Sequence, residues 1–121
     1  MTWTSLIVVI ALVAALLLLK RRGRISAKAA REYLRSGALV IDVRSSGEFT
    51  AGHLARAINI PLSEVESVIA RKTKDKGQVL LLHCQSGKRS EEARKKLKAL
   101  GYENAFDLGS YARAAQIVGS R

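Results

Sequence analysis

The chain has one cysteine, one proline, one tryptophan, three tyrosines and two phenylalanines in 121 residues. A single cysteine excludes an intramolecular disulfide framework and any multi-cysteine metal site. A lone reactive thiol is best suited to a reducing compartment. Acidic residues are also scarce, ten against 21 Lys and Arg, and none occurs before Glu32. Despite a net charge of +11, nucleic acid is not an expected partner. Aromatics are few, and there is no helix-turn-helix or zinc pattern. Repeats and low-complexity segments are missing too.

One long apolar run stands out. Residues 3–19, WTSLIVVIALVAALLLL, carry no charge and are followed directly by KRRGR. Such a run makes a helix of roughly 25 Å, at the short end of what crosses a bilayer. A cleaved signal peptide needs cations before its apolar core, and here they follow it. The pattern predicts an uncleaved single-pass transmembrane helix, with Trp3 at one interface and Lys20 and Arg21 at the other. The basic residues place the remainder of the chain on the cytoplasmic side. Lys20, Arg21, Arg22, Arg24, Lys28 and Arg31 form a cluster typical of a membrane surface. The expected division is an anchor with a basic flank at 1–24 and a folded domain at 25–121.

Within that domain, short apolar runs alternate with helical patterns. Ser26 is a candidate N-cap for AKAAREYLRSG, with Gly37 as its stop. ALVIDV, 38–43, and QVLLLHC, 78–84, read as strands covered on both faces. SSGEFTAGHL between them reads as a loop with a helical turn, and AINIP, 57–61, as a short strand. LSEVESVIARK, 62–72, has helical spacing and is expected to start from Ser63. SEEARKKLKALG, 90–101, places Ala93, Leu97 and Leu100 on one helical face and stops at Gly101. NAFDL supplies a last strand and SYARAAQIV a last helix. The order predicts an α/β domain with a mostly parallel sheet flanked by helices.

The cysteine sits at the end of the second buried strand, in VLLLHCQSGKRSEEA, 79–93. A cysteine after an apolar strand is ordinarily a small, inert hydrophobe. Three features oppose that reading here. The carboxyl edge of an open α/β sheet is where ligands bind. Gly87 lets successive amides turn toward one point. Ser90, Glu91 and Glu92 open a helix whose positive end faces the loop. Shifting a thiol's ionisation by two pH units requires about 2.7 kcal/mol of preference for the thiolate. A helix N-terminus supplies roughly 0.3–1 kcal/mol, and each amide bonded to charged sulfur roughly 1.5–3 kcal/mol. Two or three amides suffice without a histidine base.

In these residues the chain resembles the rhodanese family of sulfurtransferases, over most of 26–112. LVIDVRSSGEFTAGHLARAINIP is similar to the family's first motif region, through Asp42-Val43-Arg44, Glu48-Phe49, Gly52-His53-Leu54 and Ala57 to Pro61. LLLHCQSGKRSEEARKKLKALGYENAFDLGS is similar to its active-site loop and following helix. The resemblance implies a parallel sheet flanked by helices. It implies that Cys84 accepts sulfane sulfur as a persulfide, in covalent catalysis by two half-reactions. Gln85, Ser86, Gly87, Lys88 and Arg89 would form the loop around the outer sulfur, and Lys88 and Arg89 would attract an anionic donor such as thiosulfate. Ser90, Asp42 and Arg44 would support the site, the last two as a structural pair. His53 is expected to be structural. His83 points to the sheet face opposite Cys84. No metal or organic cofactor is implied. The family's paired glycines after the last strand appear as Gly109-Ser110, and Ala114 and Ala115 stand near its usual tryptophan.

Three other functions compete. A cysteine-dependent phosphatase would carry arginine six positions after the cysteine, where this chain has Ser90; Arg89 lies five after it. Some rhodanese-like modules are binding or regulatory domains, and those often lack the cysteine. A persulfide relay would use the same chemistry with a persulfide-bearing protein as donor. Physiological donor, acceptor and oligomeric state are not encoded in these motifs.

Overall fold

The structure, a computed structural model, describes residues 2–20 and 23–119. The first helix, α1, runs Trp3–Lys20. Trp3, Leu6, Ile7, Leu12 and Leu16 are among its exposed apolar side chains. Among the described residues no helix is long and apolar enough to cross a membrane. The expected transmembrane anchor is thus not borne out among the described residues. The eighteen described residues of α1 rise about 27 Å. Arg21 and Arg22, part of the expected interfacial flank, lie outside the described residues.

The remaining elements alternate. They are α2 (Ala27–Arg35), β1 (Leu39–Asp42), α3 (Ser46–Ala51), β2 (Ala57–Asn59), α4 (Val65–Lys72), β3 (Leu80–His83), α5 (Lys88–Ala99), β4 (Ala105–Gly109) and α6 (Tyr111–Val118). The four strands form one sheet in the order β2-β1-β3-β4, and every pairing is parallel. Parallel strands need crossovers, so both faces carry helices and both are apolar. Alternation sorts the side chains. Ile41, Leu80 and Leu82 face a core shared with Val65 and Ile69 of α4 and Ala93 and Leu97 of α5. Val40, Leu81 and Leu108 face the opposite core, with Ala30 and Leu34 of α2 and Ala114 and Ile117 of α6.

Local signals explain most boundaries. Ser26 caps α2 by accepting from the Ala29 amide at 3.2 Å, and Gly37 follows its end at φ +93°. Ser45 and Glu48 form a reciprocal capping box on α3. Ser110 caps α6 by accepting from the Arg113 amide at 3.1 Å, so serine at this position has a structural use. Two starts differ from expectation. Residues Leu62–Glu64 form a 3₁₀ turn, and α4 begins after Glu64 with no side-chain cap, so Ser63 does not start it. α5 begins at Lys88, two residues before Ser90, because Gly87 adopts φ +94° and turns the chain into the helix there.

β4 carries a bulge: Leu82 pairs with Asp107 but His83 pairs with Gly109. The extra residue, Leu108, brings the Gly109 backbone beside the loop after β3. The segment before α2 also joins this edge: the Asp107 amide donates to the Gly23 carbonyl, and the Ile25 amide to that of Asp107.

Candidate functional site

Cys84 follows β3 directly, and its own amide donates to the Gly109 carbonyl at 3.3 Å. The chain then turns through Gln85, Ser86 and Gly87 into α5. Gly87 is needed for two reasons. Its φ is +94°, and a β-carbon there would stand 3.3 Å from the Gly109 carbonyl carbon and 3.4 Å from its Cα. The turn folds the start of α5 over the sulfur. Cys84 Sγ accepts from the Gly87 amide at 3.0 Å and from the Ser90 amide at 3.4 Å. The Ser90 amide is one of the first-turn donors that a helix leaves unpaired, so the sulfur occupies the place of a capping side chain. One amide of the expected 85–89 cradle, that of Gly87, therefore reaches Sγ, joined by that of Ser90.

The thiol is 0% exposed and packs in the core cluster with Leu82 and Ala93. Its polar neighbours distinguish it from an ordinary core cysteine. Beyond the two amides, Sγ lies 3.5 Å from the Ser90 hydroxyl, to which a thiol proton donates. Gln85 and Ser86 are exposed, and Lys88 is exposed at the head of α5. A groove of about 870 Å³ borders the loop at Ser86, Gly87 and Lys88, with Arg24 and Lys95 on its walls.

The two loop cations do different things. Arg89 donates from Nη1 to Glu48 Oε1 at 2.7 Å and from Nη2 to Oε2 at 3.0 Å. This bidentate pair ties the loop to α3 and engages two of the guanidinium N–H donors. The Arg89 bond, with the Ser45 amide behind it, holds the Glu48 carboxyl down to about 2. Among the described residues Lys88 makes no ion pair, leaving it as the unpaired cation of the loop.

Asp42 and Arg44 form a buried pair. Arg44 Nε donates to both carboxylate oxygens at 3.0 Å and Nη2 to Oδ2 at 2.8 Å. Nη2 also donates to the Gly52 carbonyl at 2.7 Å, and the guanidinium lies over the Tyr111 ring at 4.6 Å. The pair thus joins β1, the end of α3 and α6, as a structural fastening. His53 stacks on Phe49, and its Nδ1 lies 2.8 Å from the Phe49 carbonyl. His83 is fully buried on the opposite face from Cys84, edge-on to Tyr111, with no hydrogen-bond partner for either ring nitrogen. Burial pushes its imidazole below the ordinary range.

Two site residues escape sequence reasoning. Glu48 is visible there only as a motif position, because its partner lies 41 residues away. Asp107 reads as part of a strand, yet its side chain is nearly fully buried and accepts from the Ser90 hydroxyl and the Gly109 amide, each at 2.7 Å. Burial is the main cause raising its carboxyl above the usual range. The available signal was an acid inside an apolar strand, which must find a partner.

The family model for the rhodanese-like domain matches residues 26–113. The chain is 36% identical over 69 residues to the thiosulfate sulfurtransferase PspE of Escherichia coli, covering 57% of this chain and 66% of that relative. It is 38% identical over 95 residues to the human thiosulfate:glutathione sulfurtransferase, covering 67% and 83%. A solved structure of the human single-domain sulfurtransferase TSTD1 superposes with a TM-score of 0.66 at 31% identity, covering 78% of this chain and 96% of that one.

Proposed function

The chain belongs to the rhodanese-like domain family, and on that premise we propose that it transfers sulfane sulfur from thiosulfate, or a similar small anion, to a thiophilic acceptor. Relatives named as sulfurtransferases support sulfur transfer in general. The observation that carries the finer reading is Cys84 Sγ held by the Gly87 and Ser90 amides at the head of α5. Those dipoles favour an ionised sulfur, and after transfer they would face the negative outer sulfur.

In the first half-reaction the thiolate attacks the sulfane sulfur of thiosulfate. A Cys84 S–S bond forms, the S–S bond of thiosulfate breaks, and sulfite leaves with the electron pair. In the second, a nucleophile such as cyanide bonds to the outer sulfur, and the electron pair of the broken bond returns to Cys84 as thiolate. Lys88 attracts the donor from the groove, and the loop at 85–87 must part for the covered sulfur to react. A phosphatase reading would need a free arginine fork, whereas Arg89 grips Glu48.

The test is thiocyanate formation by the purified chain from thiosulfate and cyanide, with loss of activity in Cys84→Ala. Intact-mass spectrometry should find one added sulfur atom after donor treatment. A donor-treated protein that never gains that atom would refute the proposal, and phosphate-ester hydrolysis without sulfur transfer would favour the phosphatase.

A further inference from the structure

We propose that Asp107, acting through the Ser90 hydroxyl, holds Cys84 toward its thiol form and so tempers the pull of the loop amides. The Ser90 hydroxyl has one proton and three oxygen acceptors within reach: Asp107 Oδ1 at 2.7 Å, the Gly87 carbonyl at 3.1 Å and the Gly109 carbonyl at 3.5 Å. The carboxylate is both the nearest and the only charged one, so it takes the proton. A lone pair of Oγ is then left facing Sγ at 3.5 Å, where it accepts from a thiol and repels a thiolate. Ser90 is fully buried and Asp107 nearly so, so water screens the chain of contacts little.

Other charges face this pair from several elements. Arg24 before α2, Glu91 and Arg94 of α5 and Arg113 of α6 act on Asp107, and Arg89 acts on Cys84. None of them hydrogen-bonds the Asp107 carboxylate. Arg94 grips Glu91, and Arg113 donates to the Leu108 and Ile25 carbonyls. Asp107 and Ser90 are positioning residues for the thiol. Their use is kinetic: a thiolate made too stable is a poorer nucleophile, and the optimum attacking thiol ionises near ambient pH.

The inference rests on Cys84 as the sulfur acceptor, but its test reads thiol ionisation and needs no sulfur transfer. Iodoacetamide alkylation rates of the full chain are measured against pH. Asp107→Asn keeps the shape and removes the charge. Its midpoint should fall, and its plateau rate with it, by about threefold for each pH unit of that fall. Ser90→Ala should also lower the midpoint, Ser90→Thr should retain the parent profile, and the Asp107→Asn/Ser90→Ala pair should shift no further than the larger single change. Circular dichroism establishes folding, and the two Ser90 variants decide the matter if Asp107→Asn is unfolded. An unmoved or raised midpoint in Asp107→Asn, a raised midpoint in Ser90→Ala, or additive shifts in the pair would overturn it.

Discussion

Replacing Gly87 with alanine tests the turn that holds the sulfur. At φ +94° an L-residue is strained by roughly 1–2 kcal/mol. The added methyl would stand 3.3–3.4 Å from the Gly109 backbone, which cannot swing aside as a flexible side chain would. The loop then has two courses. If it stays, stability falls by about 1–2 kcal/mol, and each kcal/mol lowers Tm by roughly 4–8 °C in a domain of this size. If it shifts, the Gly87 amide leaves Sγ, forfeiting a bond to charged sulfur worth roughly 1.5–3 kcal/mol. The thiolate population near pH 7 then drops about tenfold or more. Thermal unfolding and iodoacetamide alkylation at pH 7, run on the same sample, detect either course. An alanine variant that melts and alkylates like the parent would refute the account of this turn.

Two further perturbations concern the frame behind the loop. Arg44→Ala leaves the buried Asp42 carboxylate without its partner and should cost about 3–5 kcal/mol in urea unfolding; a loss below about 1 kcal/mol would mean the pair fastens nothing. His83 predicts a pH dependence. Its folded imidazole binds protons less well than the unfolded one, so the unfolded chain takes them up first and stability declines as pH falls below about 6.5. His83→Leu should flatten that decline between pH 7 and 5, and an unchanged slope would refute the assignment.

The strands are legible because burial on both faces leaves continuous apolar runs, and β1 and β3 fall inside ALVIDV and QVLLLHC. The cap at Ser26 and the stop at Gly37 act over three or four residues, and such short reach makes them readable. α4 is less legible: Ser63 has the chemistry of a cap, but the chain enters through a 3₁₀ turn after Pro61 instead. At the site, Cys84 and Gly87 lie three residues apart in sequence and their relation can be inferred. The clasp of Arg89 on Glu48 and the burial of Asp107 under Ser90 depend on chain segments 17–41 residues apart. Only the folded sheet brings them together. The apolar run at the start is legible as a helix, while the membrane span its composition suggests is not found among the described residues.

The histidine that closes β3 and the cysteine that follows it occupy consecutive positions on opposite faces of the sheet. Inserting or deleting one residue ahead of them would rotate the thiol toward Tyr111 and bury the imidazole beneath α5. Exchanging one aliphatic residue for another in LLLH should therefore disturb the site far less than changing the number of residues between Val79 and Gly87.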